Sequence, residues 1–323
     1  EGADACLGSA SGMAAISVTL FGLLKSGDHI VCDWTTYSST HEMLDHRLTD
    51  YGINTTFVDT SNLDAVSDAI QKNTKVLYFE SIANPNMKVP DFEALVKIAH
   101  EKKIIVICDN TFASPYVIRP LEWGVDIVVE SATKFIGGHN DALGGVIAMK
   151  SDLLPDDFME QIRWNTMVKW GSPLSPFNAW VLLRGIQTLS VRLERQCKTA
   201  MTLAKYFSGH PKVKRVWYPG LESHPQHELA KKQMPKYGGM LTFEVKDGDD
   251  ALTVLDNLEL ACFAASLGGV RTTTQIPATM AFLDIPEEER QEMSIFQGMI
   301  RVSTGLEDPN DLIADFEAAL SLI

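Results

Sequence analysis

The chain has 323 residues, of which 45% are hydrophobic and 22% charged, and 28 basic against 42 acidic side chains give a formal net charge of -14. This is the balance of a globular chain that buries a substantial core, at a length that favours two domains over one. It excludes nucleic acid as the main partner, since phosphate-backbone binding needs a basic footprint and no Lys/Arg stripe is present, but it leaves room for a small anion held by backbone amides.

Glu1 to Gly12 reads as the approach to a helix inside a domain, with the small residues Gly8-Ser9-Ala10-Ser11-Gly12-Met13-Ala14-Ala15 leading into that helix. Short apolar runs then alternate with amphipathic stretches. Buried strands are predicted over 29–32, 55–58, 75–79, 104–107, 126–129 and 145–148, with helices over 64–72 and 91–102. Near-continuous β-branched runs separated by helices indicate a parallel sheet covered on both faces. Ligands of such sheets sit beyond the C-terminal ends of the strands.

From Ser175-Pro176 the pattern changes. One long helix is predicted to about Gly209, where His210-Pro211 breaks it. Strands near 214–217, 239–245, 260–264 and 299–302, a helix from Asp249 and a C-terminal helix complete an α+β second domain. The expected division is therefore 1–178 and 179–323. The five cysteines, Cys6, Cys32, Cys108, Cys197 and Cys262, are scattered and form no CxxC pair. That predicts small buried thiols in a reduced, cytoplasmic setting, with neither a disulfide framework nor a metal site. No apolar run has the length of a membrane span and no signal-peptide pattern is present, so no membrane partner is expected.

Chemistry concentrates in a few places. Lys134 lies just past a predicted buried strand, between the hydroxyls of Ser131 and Thr133 and the glycine pair Gly137-Gly138. A lone lysine is ordinarily a solvated surface charge. In a dry pocket it loses its proton readily and can bond covalently to a carbonyl, while hydroxyls and glycines suit a phosphate. Asp109 ends another buried strand, where a carboxylate is costly without a cation. It reads either as the N-cap of a following helix or as the partner of a protonated heterocyclic nitrogen. Ser11-Gly12-Met13 suits a helix N-terminus that binds an anion, although small residues also simply permit close packing. Tyr37, after the first predicted strand, could stack on an aromatic ligand or be a half-buried core tyrosine.

Asp126 to Asn140 closely resembles the signature of the Cys/Met-metabolism pyridoxal-phosphate (PLP) family: cystathionine γ-synthases, cystathionine β- and γ-lyases, methionine γ-lyases and homoserine-ester sulfhydrylases. Ser11-Gly12-Met13, Tyr37, Glu80-Ser81-Ile82-Ala83-Asn84-Pro85, Asp109-Asn110-Thr111, Ser266-Leu267-Gly268-Gly269 and the run from Arg301 to Asp308 fall in the family's order. The resemblance implies a type I, aspartate-aminotransferase-like fold, α/β with a mixed, mostly parallel sheet domain and a smaller α+β C-terminal domain. It implies PLP as cofactor, covalently held by Lys134. Ser11, Gly12, Met13, Ser131 and Thr133 would hold the phosphate, Tyr37 would stack on the ring and handle protons, and Glu80 would also line the cofactor site. Asp109 would bind the ring nitrogen and Asn84 the substrate carboxylate or ring oxygen. Ser266 and Arg301 would grip the substrate's α-carboxylate. The implied partners are a small-molecule amino-acid substrate and further copies of the same chain, in a homo-oligomer, a tetramer, whose active sites are shared between subunits. The family's N-terminal stretch, with a Tyr-x-Arg that reaches a neighbouring subunit's phosphate, has no counterpart in residues 1–323.

Departures from the family pattern shape the expected reaction. Ser38-Ser39 and Met167-Val168 replace residues typical of methionine γ-lyases. Gly138-His139-Asn140-Asp141 is similar to cystathionine γ-synthases, and the run 175–180 to sulfhydrylases. Arg271 stands where many relatives carry Glu, and is read as meeting an anionic distal group or, alternatively, as solvated or paired with Glu288. The expected reaction is γ-replacement on a homoserine ester. The alternative is γ-elimination by a C–S lyase. From another class, a non-catalytic PLP-binding protein would be expected to lose Lys134, Asp109 or Arg301, and all three are present. A nucleotide-dependent oxidoreductase lacks its GxGxxG after the first strand.

Overall fold

The computed structural model describes residues 1–283 and 285–323. The chain divides into two compact units, one of 1–83 with 90–186, the other of 84–89 with 187–323. The division thus falls between Ile186 and Gln187 rather than after Asn178, and a short segment from the first half is counted with the second unit.

The first unit is built on a seven-stranded sheet of order β1-β7-β6-β5-β4-β2-β3. Its strands are β1 (Ala5–Ser9), β2 (His29–Asp33), β3 (Asn54–Val58), β4 (Thr74–Glu80), β5 (Ile105–Asp109), β6 (Ile127–Ser131) and β7 (Gly145–Met149). β2 to β6 run parallel, and β7 is antiparallel to both β6 and β1. The middles of the central strands are apolar because both faces are covered, and every residue of β2 and β5 is buried. One face packs on α1 (Gly12–Leu23) through Ala15, Ile16, Leu20, Tyr78, Ile107 and Val129. Asp126, just before β6, ties the layers together, accepting from Val106 N–H at 2.8 Å and lying 2.9 Å from His100 Nε2 at the end of the helix Phe92–His100. β1 is the strand that the reading of 1–12 as a helix approach leaves out: its small residues pair with β7 in full register.

The predicted single long helix is two, Pro176–Ile186 and Leu189–Ser208, the first in one unit and the second in the other. The second unit holds a five-stranded sheet of order β10-β11-β12-β9-β8, from β8 (Arg215–Trp217), β9 (Met240–Glu244), β10 (Cys262–Phe263), β11 (Thr273–Gln275) and β12 (Met299–Ser303). Leu193, Cys197, Ala200, Ala204 and Phe207 recur at helical spacing and form the buried side of Leu189–Ser208. Phe207 stacks on Phe243 of β9 with ring centroids 4.1 Å apart, and meets Phe316 edge-on at 5.1 Å. Cys32, Cys108 and Cys197 are buried, whereas Cys6 is exposed. Among the described residues no helix is long and apolar enough to cross a membrane.

Candidate active site

The parallel strands β4, β5 and β6 end on Glu80, Asp109 and Ser131, so their C-terminal ends carry the polar groups of an otherwise apolar sheet. Glu80 and Asp109 sit opposite each other in the register. Asp109 is only 8% exposed. Its Oδ1 accepts the Thr111 N–H at 2.9 Å, and its Oδ2 accepts from the Tyr78 hydroxyl at 3.4 Å. Burial pushes the Asp109 carboxyl above the usual carboxylate range, and the bonds from Thr111 and Tyr78 pull in the opposite direction. No Lys, Arg or His among the described residues pairs with it. A helix N-cap does not explain it either, since the next helix begins only at Ser114 and has no side-chain cap.

Thr111 also links two strand ends, because its Oγ1 accepts the Ser131 N–H at 2.8 Å. Facing Ser131 is the start of α1. Ser11 is the N-cap, accepting the Ala14 N–H at 3.1 Å, and its extended backbone aims the first amides of the helix, at Gly12 and Met13, outward. Gly12 is required by contact: a Cβ there would come within 2.7 Å of Ser131 Cβ. Backbone N–H groups at a helix start, with a serine hydroxyl beside them, form a ready anion cradle. The Thr133 hydroxyl is engaged locally, accepting the Gly144 N–H at 3.1 Å and lying 3.3 Å from Gly144 O.

Lys134 is half-buried in the turn that follows β6, its N–H donating to Ser131 O at 3.1 Å. The glycines behind it give way to the helix Pro176–Ile186, where a Cβ on Gly185 would lie 2.2 Å from Gly137 O. Tyr37 precedes α2 (Ser38–Glu42), with its side chain 44% exposed. Its backbone N–H donates to Glu80 Oε1 at 2.6 Å, so Glu80 meets the tyrosine through its backbone.

The remaining predicted residues belong to the second unit. Arg301, on β12, is 4% exposed. Its Nη1 donates to Asn84 Oδ1 at 3.1 Å and its Nη2 to Ser266 O at 3.0 Å, so Asn84 and Ser266, also expected at the substrate, both meet Arg301. Ser266 has a φ of 82°, a strained backbone for serine and of the kind that clusters at ligand sites. Arg271 does not join them: it is exposed and makes no hydrogen bond or ion pair with any described residue, Glu288 included. Two participants escaped the sequence reading, Thr111 as the tie between Asp109 and Ser131, and Tyr78 beneath Asp109.

These residues fit PLP. A protonated ring nitrogen supplies the positive charge that buried Asp109 lacks, and the amides at the start of α1 with the Ser131 hydroxyl match a phosphate. The chain is 47% identical to an L-methionine gamma-lyase of Fusobacterium nucleatum, over 100% of this chain and 81% of that protein. It is 44% identical to a cystathionine beta-lyase of Coxiella burnetii, over 96% and 80% respectively. The fold matches the crystal structure of cystathionine gamma-lyase from Lactobacillus plantarum complexed with L-serine, with a TM-score of 0.94 and 37% identity over 99% of this chain and 82% of that one. Residues 1–321 match the family model for the Cys/Met metabolism PLP-dependent enzymes, and the chain belongs to that family.

Proposed function

We propose that this PLP-dependent enzyme is a C–S lyase that acts at the γ-carbon of a thioether amino acid, releasing a thiol, a 2-oxo acid and ammonia. What supports this reading is that relatives aligned across nearly the whole chain carry lyase names, methionine gamma-lyase at 47% identity among them. Those names favour elimination over the γ-replacement expected from the departures around Ser38-Ser39 and Met167-Val168.

In this proposal the Gly12 and Met13 amides and the hydroxyls of Ser11, Ser131 and Thr133 hold the phosphate, Asp109 holds the ring nitrogen and Lys134 is the covalent anchor. PLP supplies an electron sink conjugated to the substrate's α-amino group. With PLP bound, Lys134 would accept the proton from the substrate's Cα, and Tyr37 would lie against the cofactor and serve as a second proton carrier. General acid–base help of this kind contributes about 10²–10⁴-fold. Arg301 grips the α-carboxylate, its planar fork oriented by the bonds to Asn84 and Ser266.

The working form is a homo-oligomer. Phe177, Trp180 and Leu183 line the outward side of the helix Pro176–Ile186 and are each more than half exposed, Phe177 at 65%. Leu182 and Gly185 on its other side are buried. Such an aromatic face on a surface helix marks an interaction site.

The test is direct. Purified, cofactor-loaded protein incubated with L-methionine should yield methanethiol, 2-oxobutyrate and ammonia in equal amounts. Turnover confined to a homoserine ester with an added thiol, and without ammonia, would return the enzyme to γ-replacement.

A further inference from the structure

Asp109 is held from below by a residue with no assigned part in the chemistry. Tyr78 lies on β4, paired in register with Ile107, and is 0% exposed within the core beneath α1. A buried phenol hydroxyl must find a hydrogen-bond acceptor or lose the hydration it gave up on folding. Among the described residues the only acceptor that Tyr78 finds is Asp109 Oδ2, at 3.4 Å. The other oxygen, Oδ1, is taken by the Thr111 N–H at 2.9 Å. The carboxylate is thus gripped at both oxygens by neutral donors, one on β4 and one in the turn that follows β5. Its plane is fixed before any ligand arrives, and its negative charge is stabilised where burial alone would neutralise it. The phenol remains a donor throughout, since burial and then the Asp109 charge push its own ionisation well above the usual tyrosine range.

We infer that Tyr78 is a positioning residue for the cofactor: its hydroxyl orients Asp109 and keeps it charged, so that Asp109 meets the ring nitrogen as an anion. This rests on the reading of Asp109 as the ring-nitrogen partner. Without the hydroxyl the carboxylate becomes more basic, drawing the shared proton away from the ring nitrogen toward Asp109. A tyrosine that merely fills the core would leave that proton where it was.

Tyr78→Phe keeps the buried ring and removes only the hydroxyl. The apo forms of the parent, Tyr78→Phe and Asp109→Asn would each be titrated with PLP by equilibrium dialysis. The loaded forms, prepared with cofactor labelled at the ring nitrogen, would be examined by ¹⁵N NMR. Loss of one hydrogen bond to a carboxylate predicts a cofactor dissociation constant weaker by about 3- to 10-fold in Tyr78→Phe. Its ring-nitrogen resonance should move toward the unprotonated position, with the thermal midpoint nearly unchanged. Parental affinity together with a parental ring-nitrogen resonance in Tyr78→Phe would overturn the inference. The Asp109→Asn arm separates the two levels. If that variant also keeps the parental resonance, the reading of Asp109 fails; if it alone shifts, Tyr78 is a core residue only.

Discussion

Asp109 and Lys134 were legible in the sequence for the same reason: each interrupts or closes an apolar run where a charge has no business without a partner. Lys134→Ala should lose turnover by several orders of magnitude while its circular dichroism stays that of the parent. Borohydride reduction should then no longer fix the cofactor to the protein, read by intact mass; a variant with parental activity would remove Lys134 from the chemistry. Thr111 and Tyr78 were not legible, because the contact of Tyr78 with Asp109 is set by the alignment of β4 with β5, and that of Thr111 with Ser131 by bringing the turn after β5 to the end of β6. Arg271 shows the converse. An unusual residue at a family position drew attention, yet its side chain is exposed.

A second buried carboxyl at this scale, Glu130 on β6, has a consequence for stability. Burial, and then the adjacent Glu1 charge, push its carboxyl well above the usual range. The folded chain therefore holds this proton more tightly than the unfolded chain does. The associated stability is present at low pH and is lost as pH rises above the unfolded carboxyl value of about 4.3. Glu130→Gln, which cannot ionise, should escape that loss. Its thermal midpoint should exceed the parent's at neutral pH, by roughly 2–4 °C per kcal/mol recovered, with the gap closing toward about pH 4. Parallel melting-temperature profiles for the two proteins across that range would contradict the account.

At the scale of elements, the parallel strands were readable because burial on both faces writes a continuous apolar run into each. β1 was not, since Ala5 to Ser9 is short and its pattern is dominated by small residues; pairing with β7 makes it a strand. The break between the helices Pro176–Ile186 and Leu189–Ser208 also escaped, because neither Gln187 nor Thr188 is a helix breaker. The junction of α1 with β6 depends on one absent methyl. Gly12→Ala must displace Ser131, with Cβ atoms otherwise 2.7 Å apart. Overpacking of this kind costs about 1–3 kcal/mol. The variant should melt lower and bind both PLP and inorganic phosphate more weakly, whereas unchanged phosphate affinity would detach the start of α1 from the phosphate.

For the whole molecule, the net charge of -14 and the exposed aromatic side of the helix Pro176–Ile186 bear on assembly. Replacing Phe177, Trp180 and Leu183 together by serine should lower the mass measured by light scattering, with little change in the fold of the subunit. An unaltered mass would move the contact elsewhere. The identity of the reaction is tested most directly with L-cystathionine, because the two carbon–sulfur bonds of that molecule give different products. Cleavage at the γ-carbon yields cysteine, 2-oxobutyrate and ammonia; cleavage at the β-carbon yields homocysteine, pyruvate and ammonia. The account predicts cysteine and 2-oxobutyrate in equal amounts from the cofactor-loaded enzyme, and homocysteine with pyruvate as the main products would contradict it.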